Sequence, residues 1–216
     1  MTKIGLFILS VSIPFFLLMT AIRVLLTPVF VNVEYFMPGF PVDEYGFTRA
    51  DRLMYAPLAV EYLVNSAGIE FLGDQTFPDG SSLYNERELS HMLDVKILVQ
   101  KMITAWMIIG AILIAAGVWA WRGRWWQAYT LAWGRGACYT VGLIGLIIAA
   151  VTINFDALFT TFHHIFFTGD SWLFYYSDTL IRLFPIRFWS DAFIVVGGFS
   201  LLAAGLIIWA VYRKKK

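Results

Sequence analysis

The chain has 216 residues, of which 59% are hydrophobic, 18% aromatic and only 14% charged. A soluble domain usually carries about 25% charged residues, so this composition excludes a typical cytosolic enzyme and a disordered regulator. The net charge of +1 provides no overall attraction to polyanions, and we expect no nucleic-acid partner. The single cysteine excludes a disulfide framework and a cysteine-rich zinc site. The composition therefore indicates an integral membrane protein.

Four apolar segments are long enough to cross a bilayer. A spanning helix needs about 20 mostly apolar residues, because the hydrocarbon core is about 30 Å thick. The predicted spans cover approximately residues 4–26, 97–121, 137–153 and 192–211. Backbone amides in lipid need partners within the chain, so each span should be an α-helix. We predict an all-α membrane protein in which residues 1–216 form a single membrane domain.

The charge distribution predicts which side of the membrane each connecting segment faces. The residues before span one, between spans two and three, and after span four include basic side chains but no acids. All 15 acidic residues lie in the other two segments, 28–95 and 155–191. The positive-inside rule therefore places both termini and the 122–135 connection in the cytoplasm. Segments 28–95 and 155–191 are predicted to lie outside the cell.

The first outside segment, 28–95, is too long for a bare connection and is predicted to form a helical cap. Thr48 is expected to cap a helix that runs to Asn65, with Asp51 at its third position. Asn85 is expected to cap a second helix, whose first turn contains acidic residues. No helix-breaking residue separates this second helix from span two, so we expect one continuous helix.

The second outside segment, 155–191, contains 12 aromatic residues. Aromatic side chains are enriched at the headgroup level of membranes, which favours an interfacial belt. Twelve rings exceed what two helix ends require, so a loop that lies in the outer leaflet and lines a lipid-sized cavity is the alternative. Phe162, Phe166 and Trp172 belong to this group, and each admits both interpretations.

All three histidines fall in the outside segments, near the predicted membrane surface: His91, His163 and His164. An unperturbed imidazole has a pKa of about 6.5, which suits proton transfer at neutral pH. The simpler alternative is that each is a tolerated interfacial residue. A metal site would need a carboxylate such as Asp94, and no HExxH motif supports one, so we expect no metal.

Two charged residues near His91 have two interpretations each. Asp94 lies three residues beyond His91 on the predicted helix, close enough to orient its ring. Arg87 lies one turn before His91, where it would hold a phosphate or carboxylate, or else form a surface salt bridge with an acid of the cap. No GxSxG nucleophile elbow and no glycine-rich phosphate loop occur in the chain.

Two histidine motifs carry a resemblance to a known family. The first is Asn85-Glu86-Arg87-Glu88-Leu89-Ser90-His91-Met92, followed by Asp94-Val95-Lys96. The second is Phe159-x-x-Phe162-His163-x-Ile165-Phe166-Phe167, followed by Trp172. Together with four spans, an external cap and an aromatic outer loop, they resemble the bacterial lipoprotein intramolecular transacylases. The stretch 38–60 matches this family less well.

The resemblance implies a specific reaction. Enzymes of this family move the sn-2 acyl chain of a diacylglyceryl lipoprotein to the α-amine of its N-terminal cysteine, which yields a lyso-form lipoprotein. By motif position, His163 and His91 would carry the chemistry, and His164 would not be required. Arg87, Asp94, Phe162, Phe166 and Trp172 would bind substrate or support the histidines.

The resemblance also implies partners and a location. We expect diacylglyceryl lipoproteins and membrane lipid as partners, no cofactor, and a monomer. The expected location is the bacterial cytoplasmic membrane, with the active site at the outer face. The competing hypothesis is a non-enzymatic assembly or lipid-binding protein that uses the aromatic loop as a docking surface, in which both histidines would be dispensable.

Overall fold

A computed structural model describes residues 2–167, 169 and 171–213. Within these residues the regular structure is helical, apart from one isolated antiparallel bridge between Thr76 and Ser82. The helices are α1 (Lys3–Leu25), α2 (Pro28–Glu34), α3 (Arg49–Val64), α4 (Glu70–Gly73), α5 (Glu86–Arg122), α6 (Trp126–Phe166), α7 (Thr179–Leu183) and α8 (Ile186–Tyr212). The predicted all-α class is confirmed.

Four helices are long and apolar enough to cross a membrane: α1, α5, α6 and α8. Each overlaps one of the four predicted spans, so the prediction of four membrane-spanning helices is also confirmed. The 37 residues of α5 correspond to about 55 Å at 1.5 Å per residue, far more than the hydrocarbon core requires. As predicted, α5 runs without interruption from the residue after Asn85 into span two.

Helices α6 and α8 extend beyond the apolar segments from which the spans were predicted, and α6 does so most. Helix α6 begins at Trp126, about three turns before the predicted span, and continues to Phe166 with non-helical backbone angles at Asn154. The prediction of a loop from residue 155 was therefore wrong for its first twelve residues, which are helical. Helix formation depends on backbone hydrogen bonds and the absence of breakers, so hydrophobicity alone does not mark where a helix ends.

The chain divides into two compact units, and the first contains most of the apolar helical residues. It comprises the described parts of 1–22, 102–155 and 195–216. Its core is formed by side chains of α1, α5, α6 and α8 such as Ile13, Leu113 and Ala204. A Cβ added to Gly136 of α6 would lie 2.6 Å from the Ser10 carbonyl oxygen, so only glycine permits this close approach of α6 to α1.

The second unit comprises residues 23–101 and 156–194, and so combines the two segments predicted to lie outside. Its core contains buried aromatic and aliphatic side chains from both segments, including Tyr35, Tyr62 and Leu183. The Tyr35 hydroxyl donates a hydrogen bond of 2.8 Å to the Leu183 carbonyl oxygen, which joins the two segments. Helix α3 starts as predicted, because Thr48 and Asp51 form a reciprocal capping box.

Candidate active site

Two histidines from distant parts of the sequence meet in the second unit. The ring of His91, on α5, and the ring of His163, near the end of α6, have centroids 6.1 Å apart and planes inclined by 24°. His91 is 8% exposed and His163 is 9% exposed. Helix α5 delivers one ring and α6 the other, 72 positions later in the chain. The arrangement places two imidazoles side by side in a nearly closed setting.

The hydrogen bond of His163 determines which ring nitrogen carries its proton. Its Nδ1 atom lies 2.7 Å from the carbonyl oxygen of Phe159, one helical turn earlier. A carbonyl oxygen only accepts hydrogen bonds, so we assign the proton of the neutral ring to Nδ1. The Nε2 atom then keeps its lone pair. His163 is therefore oriented as a base whose accepting nitrogen is Nε2.

His91 differs from His163 in its hydrogen bonding. Its Nδ1 atom is buried and has no hydrogen-bond partner in the described part of the chain. Asp94, predicted to orient this ring, is exposed, and no hydrogen bond joins it to His91 among the described residues. The geometry thus gives no support to an orienting role of Asp94. An unsatisfied buried nitrogen is costly, and in a catalytic site it is available to a substrate group.

Aromatic side chains enclose both rings. Phe167 and Phe174 contact His91 edge-on, at centroid distances of 5.0 and 5.3 Å. Phe159 lies 4.2 Å from the His163 ring on its own helix. These neighbours carry no charge, so none of them supplies a counter-ion for an imidazolium ion.

This burial keeps both rings neutral. Both lie outside the predicted spans, His91 six residues before one and His163 ten residues after another. Burial lowers the pKa of His91 to about 4, with a smaller contribution from nearby His163. The pKa of His163 is also lowered, chiefly by burial, and its hydrogen bond to Phe159 partly opposes that shift. Both histidines are therefore free bases at neutral pH.

The predicted aromatic residues differ in their distance from the histidines. Trp172 lies 4.8 Å from the His163 ring, centroid to centroid. Phe162 meets His163 edge-on at 5.6 Å and is 42% exposed. Phe166 is 40% exposed and packs against Phe162 at 4.8 Å. Trp172 thus belongs to the wall of the site, while Phe162 and Phe166 form its exposed margin.

Arg87 and His164 lie at the periphery. The exposed Arg87 donates a 3.2 Å hydrogen bond to the Leu173 carbonyl oxygen, and its guanidinium lies 5.2 Å from the Tyr175 ring centroid. It forms no salt bridge among the described residues. His164 is exposed and meets Trp172 edge-on at 5.3 Å. Adjacent positions on a helix differ by about 100°, which explains why only one of the two neighbouring histidines faces His91.

Four residues that shape the site were missing from the predicted set: Phe159, Phe167, Phe174 and Glu88. The spacing i−4 and i+4 around His163 places Phe159 and Phe167 on its helical face, so the sequence contained a signal for both. Glu88 lies three residues before His91, on the same face of α5. Phe174 had no local signal, because its contact with His91 joins positions 83 residues apart.

The histidine pair has no further metal-ligating side chain beside it in the part of the chain that the structure describes. Among the described residues, no group of three or more His, Cys, Asp or Glu side chains converges. Nε2 of His163 and Nδ1 of His91 can exchange a proton or form a hydrogen bond with a group placed beside them.

Comparisons with known proteins give consistent results. The model of the family "Lipoprotein intramolecular transacylase Lit" matches residues 7–189. A protein of Aquifex aeolicus, described only as uncharacterized, is 31% identical over 216 residues, which cover 100% of this chain and 97% of that protein.

Solved structures share the fold. The membrane-integral lipoprotein intramolecular transacylase Lit from Bacillus cereus superposes with a TM-score of 0.75 at 21% identity, covering 98% of this chain and 94% of that chain. A variant of that protein with one histidine replaced by arginine superposes with a TM-score of 0.70 at 20% identity, covering 98% and 90%. At these identities the likeness shows the fold.

Proposed function

This chain belongs to the lipoprotein intramolecular transacylase family, and we propose that it moves the sn-2 acyl chain of a diacylglyceryl lipoprotein to the α-amine of that lipoprotein's N-terminal cysteine. Family membership makes the protein a multi-pass membrane acyltransferase and excludes the non-enzymatic alternative. The proposal adds the two groups between which the acyl chain moves. Donor ester and acceptor amine belong to one substrate molecule, so the reaction needs no second substrate.

The observation that carries the proposal is the pair of buried, neutral imidazoles in an aromatic wall. A free α-amine has a pKa of about 7.7–8.0, and as it attacks the ester it must lose a proton. Nε2 of His163 accepts that proton, because Nδ1 is held by the Phe159 carbonyl oxygen. The N–H of His91, whose ring is 6.1 Å away, donates a hydrogen bond to the ester carbonyl while His163 passes the amine proton to the leaving glycerol oxygen; alternatively, His91 gives its proton to that oxygen and takes up the amine proton from His163, so that both rings end neutral.

The bond changes balance within one molecule. An amide C–N bond forms, the sn-2 ester C–O bond breaks, and the amine proton ends on the glycerol hydroxyl. The neutral state of both rings suits this exchange, because a protonated imidazole could not begin it by accepting the amine proton. The aromatic wall restricts water, which would otherwise hydrolyse the ester, and holds amine and ester within about 3–3.5 Å.

The predicted side residues take supporting roles in this proposal. Trp172 forms the part of the aromatic wall beside His163. The exposed rings of Phe162 and Phe166 contact the acyl chain as it enters the site. Arg87 holds the backbone of the segment that carries Trp172. Asp94 is exposed on α5. In this proposal it therefore faces substrate or solvent and does not orient the His91 ring.

Orientation in the membrane follows from the charges. We place both termini and the 122–135 connection in the cytoplasm, with segments 28–95 and 155–191 outside. The substrate is a lipoprotein anchored in the outer leaflet, so this places the histidine pair at its glyceryl group. A monomer is sufficient, because both histidines come from one chain.

The test uses a bacterial host whose lipoproteins stop at the diacylglyceryl stage with a free N-terminal amine. The protein is expressed there, and the N-terminal lipopeptide of an abundant lipoprotein is fragmented by tandem mass spectrometry. Intact mass gives no information, because the product is an isomer of the substrate. We expect fragments with an acyl group on the cysteine nitrogen, lost in His91→Ala and His163→Ala but kept in His164→Ala.

Two results would contradict the proposal. A free-amine diacylglyceryl peptide, despite confirmed expression of the wild-type protein, would refute the proposed acyl acceptor. Acylation of the amine by His163→Ala would remove that residue from the mechanism.

A further inference from the structure

Glu88 is a buried carboxylate in the first turn of α5, three residues before His91. Only 1% of the residue is exposed, and among the described residues no basic side chain forms a salt bridge with it. Burying a carboxylate is costly unless hydrogen bonds replace its water shell. The contacts of its two oxygen atoms therefore indicate why the chain retains it.

Each oxygen of Glu88 accepts a hydrogen bond from a different part of the chain. Oε2 accepts from the backbone N–H of Asn85 at 2.9 Å, while the Asn85 side chain accepts from the Glu88 N–H at 3.0 Å. This reciprocal pair is a capping box that starts α5. Oε1 accepts from the backbone N–H of Leu180 at 2.7 Å, in the first turn of α7. The second bond joins positions 92 residues apart.

Neighbouring side chains reinforce the same junction. Three further hydrogen bonds join the chain just before and within the first turn of α5 to the segment 173–179. They run from the Thr179 hydroxyl to the Leu83 carbonyl oxygen, from the Asn85 amide to an Asp178 carboxylate oxygen and from Arg87 to the Leu173 carbonyl oxygen. Glu88 is the buried charged member of this group, and its bond reaches the backbone of α7 itself.

The segment held in this way carries two rings of the candidate site. Trp172 lies 4.8 Å from His163, and Phe174 lies 5.3 Å from His91. The hydrogen bond from Leu180 to Glu88 and the rings of Trp172 and Phe174 therefore belong to one short segment of the chain. The same turn of α5 leads directly to His91, so one side chain links the aromatic wall to the helix bearing the histidine.

We propose that Glu88 is a positioning residue, whose carboxylate ties the 172–180 segment to α5 and so sets the aromatic wall against the histidine pair. As a statement about catalysis, this rests on the proposed function. A displacement of about 1 Å in a reacting geometry can reduce turnover by about 100-fold. The tie therefore affects the turnover step more than the initial capture of a lipid substrate.

The decisive variant is Glu88→Asp, which separates the two bonds. Aspartate serves in a capping box of this same protein, because Asp51 accepts from the Thr48 N–H at the start of α3. The shorter side chain therefore keeps the start of α5 but does not reach Leu180 at the same time. Glu86→Asp is the matched control, since Glu86 is exposed in the same helical turn.

Two measurements are made on the full-length protein in detergent micelles. The first is kcat and KM with a synthetic diacylglyceryl-cysteine peptide. The second is the fluorine NMR spectrum of protein labelled with 5-fluorotryptophan, in which Trp172→Phe identifies the Trp172 resonance. For Glu88→Asp we expect kcat to fall about 10- to 100-fold, KM to stay within about threefold, and the Trp172 resonance to shift or broaden. Glu86→Asp should match the wild type in both measurements.

The outcomes separate this inference from the proposed function. A shifted Trp172 resonance in Glu88→Asp, with an inactive wild type, would refute the proposed reaction and leave the structural tie intact. An active wild type with an unchanged Trp172 resonance in Glu88→Asp would overturn the positioning role, whatever happens to kcat. A rise in KM with unchanged kcat would also overturn it.

A second variant covers failure of Glu88→Asp to fold. Glu88→Gln keeps the length and shape of the side chain but offers one accepting oxygen for the backbone N–H groups of Asn85 and Leu180. The same loss of kcat and the same change in the Trp172 resonance are expected. A wild-type Trp172 resonance in this variant, with a wild-type unfolding temperature, would overturn the inference.

Discussion

The unit of residues 23–101 and 156–194 contains two buried polar clusters that are built in opposite ways. The arginine cluster consists of Arg52, Arg182 and Asp43. Arg182 bonds to Asp43 at 3.1 Å, and Arg52 donates to the carbonyl oxygens of Arg182 and Pro41. Among the residues that the structure describes, the histidine pair, His91 and His163, forms no ion pair, and the buried Nδ1 of His91 has no hydrogen-bond partner.

This difference separates a structural role from a chemical one. Charges that are paired and hydrogen-bonded on several sides hold chain segments in place, as the arginine cluster does for the stretch around Pro41 and Asp43. Neutral bases with unused nitrogen atoms contribute little to stability, but they remain available to a substrate. The comparison predicts that variants of the two clusters affect different measurements.

The largest effect is expected for His163→Ala. Loss of the proton acceptor should reduce the initial rate of acyl transfer by about 100- to 10,000-fold, because the amine then has no adjacent base. The measurement is the rate with a synthetic diacylglyceryl-cysteine peptide in micelles. The unfolding temperature should change by only a few degrees, and His164→Ala serves as the control with a near wild-type rate. Full activity in His163→Ala would contradict the chemical role assigned to the histidine pair.

Asp43→Ala is the converse change in the arginine cluster. It removes a carboxylate that accepts from Arg182 and from the Phe47 N–H at 2.6 Å, and leaves a mostly buried guanidinium without its counter-ion. We expect a loss of about 3 kcal/mol in unfolding free energy, measured by denaturation in detergent. The turnover of the remaining folded protein should stay near that of the wild type. A stable but inactive variant would contradict the assigned structural role.

Glu34 tests whether a buried unpartnered atom outside the histidine pair also matters for chemistry. Its Oε1 is buried without a hydrogen-bond partner in the described structure. Burial raises the pKa of Glu34 to about 7, the neighbouring carboxyl group of Asp191 adds to the rise, and Arg187 opposes it. The folded state therefore binds this proton more tightly than the unfolded state, in which the pKa is about 4.3.

The sign of the pH effect follows from this difference. The stabilisation by protonated Glu34 is fully present below about pH 4.3 and is lost as the pH rises towards about 7. Thermal unfolding should show a falling unfolding temperature over this interval, and Glu34→Gln should remove that slope without reducing acyl transfer. A strong loss of activity in Glu34→Gln would mean that the chemistry extends beyond the histidine pair.

The smallest effect is expected for Thr48→Ala at the exposed start of α3. It removes the side-chain oxygen that accepts from the Asp51 N–H at 3.2 Å, and loss of such a cap costs about 1 kcal/mol. The unfolding free energy should fall by that amount, with unchanged kcat. Thr48 and Glu88 each belong to a capping box, but only Glu88 also bonds to the segment that carries Trp172 and Phe174. A loss of kcat is therefore expected for Glu88→Asp and not for Thr48→Ala.

Local patterns in the sequence were sufficient for α3, α5 and the four spans, but they did not predict the short helices α2, α4 and α7. Length and hydrophobicity identify four spans because the bilayer demands about 20 apolar residues in each. Thr48 with Asp51 marks the start of α3, and Asn85 marks the start of α5, because capping depends on residues only three positions apart. The ends of α6 and α8 were less predictable, since polar residues can continue a helix beyond its apolar part.

The candidate site was only partly predictable, because local sequence patterns report contacts within one helix and not contacts between helices. The family resemblance singles out His91 and His163, and helical spacing accounts for Phe159 and Phe167 beside the latter. Folding alone decides that the centroids of the two rings lie 6.1 Å apart, that Phe174 contacts His91 and that Asp94 is exposed. These relations depend on how α5, α6 and the 172–180 segment pack together, and spacing along separate segments contains no information on that packing. The sequence by itself determined the four spans, the starts of α3 and α5 and the histidines that they carry or approach, and the tertiary structure decided which of those residues meet.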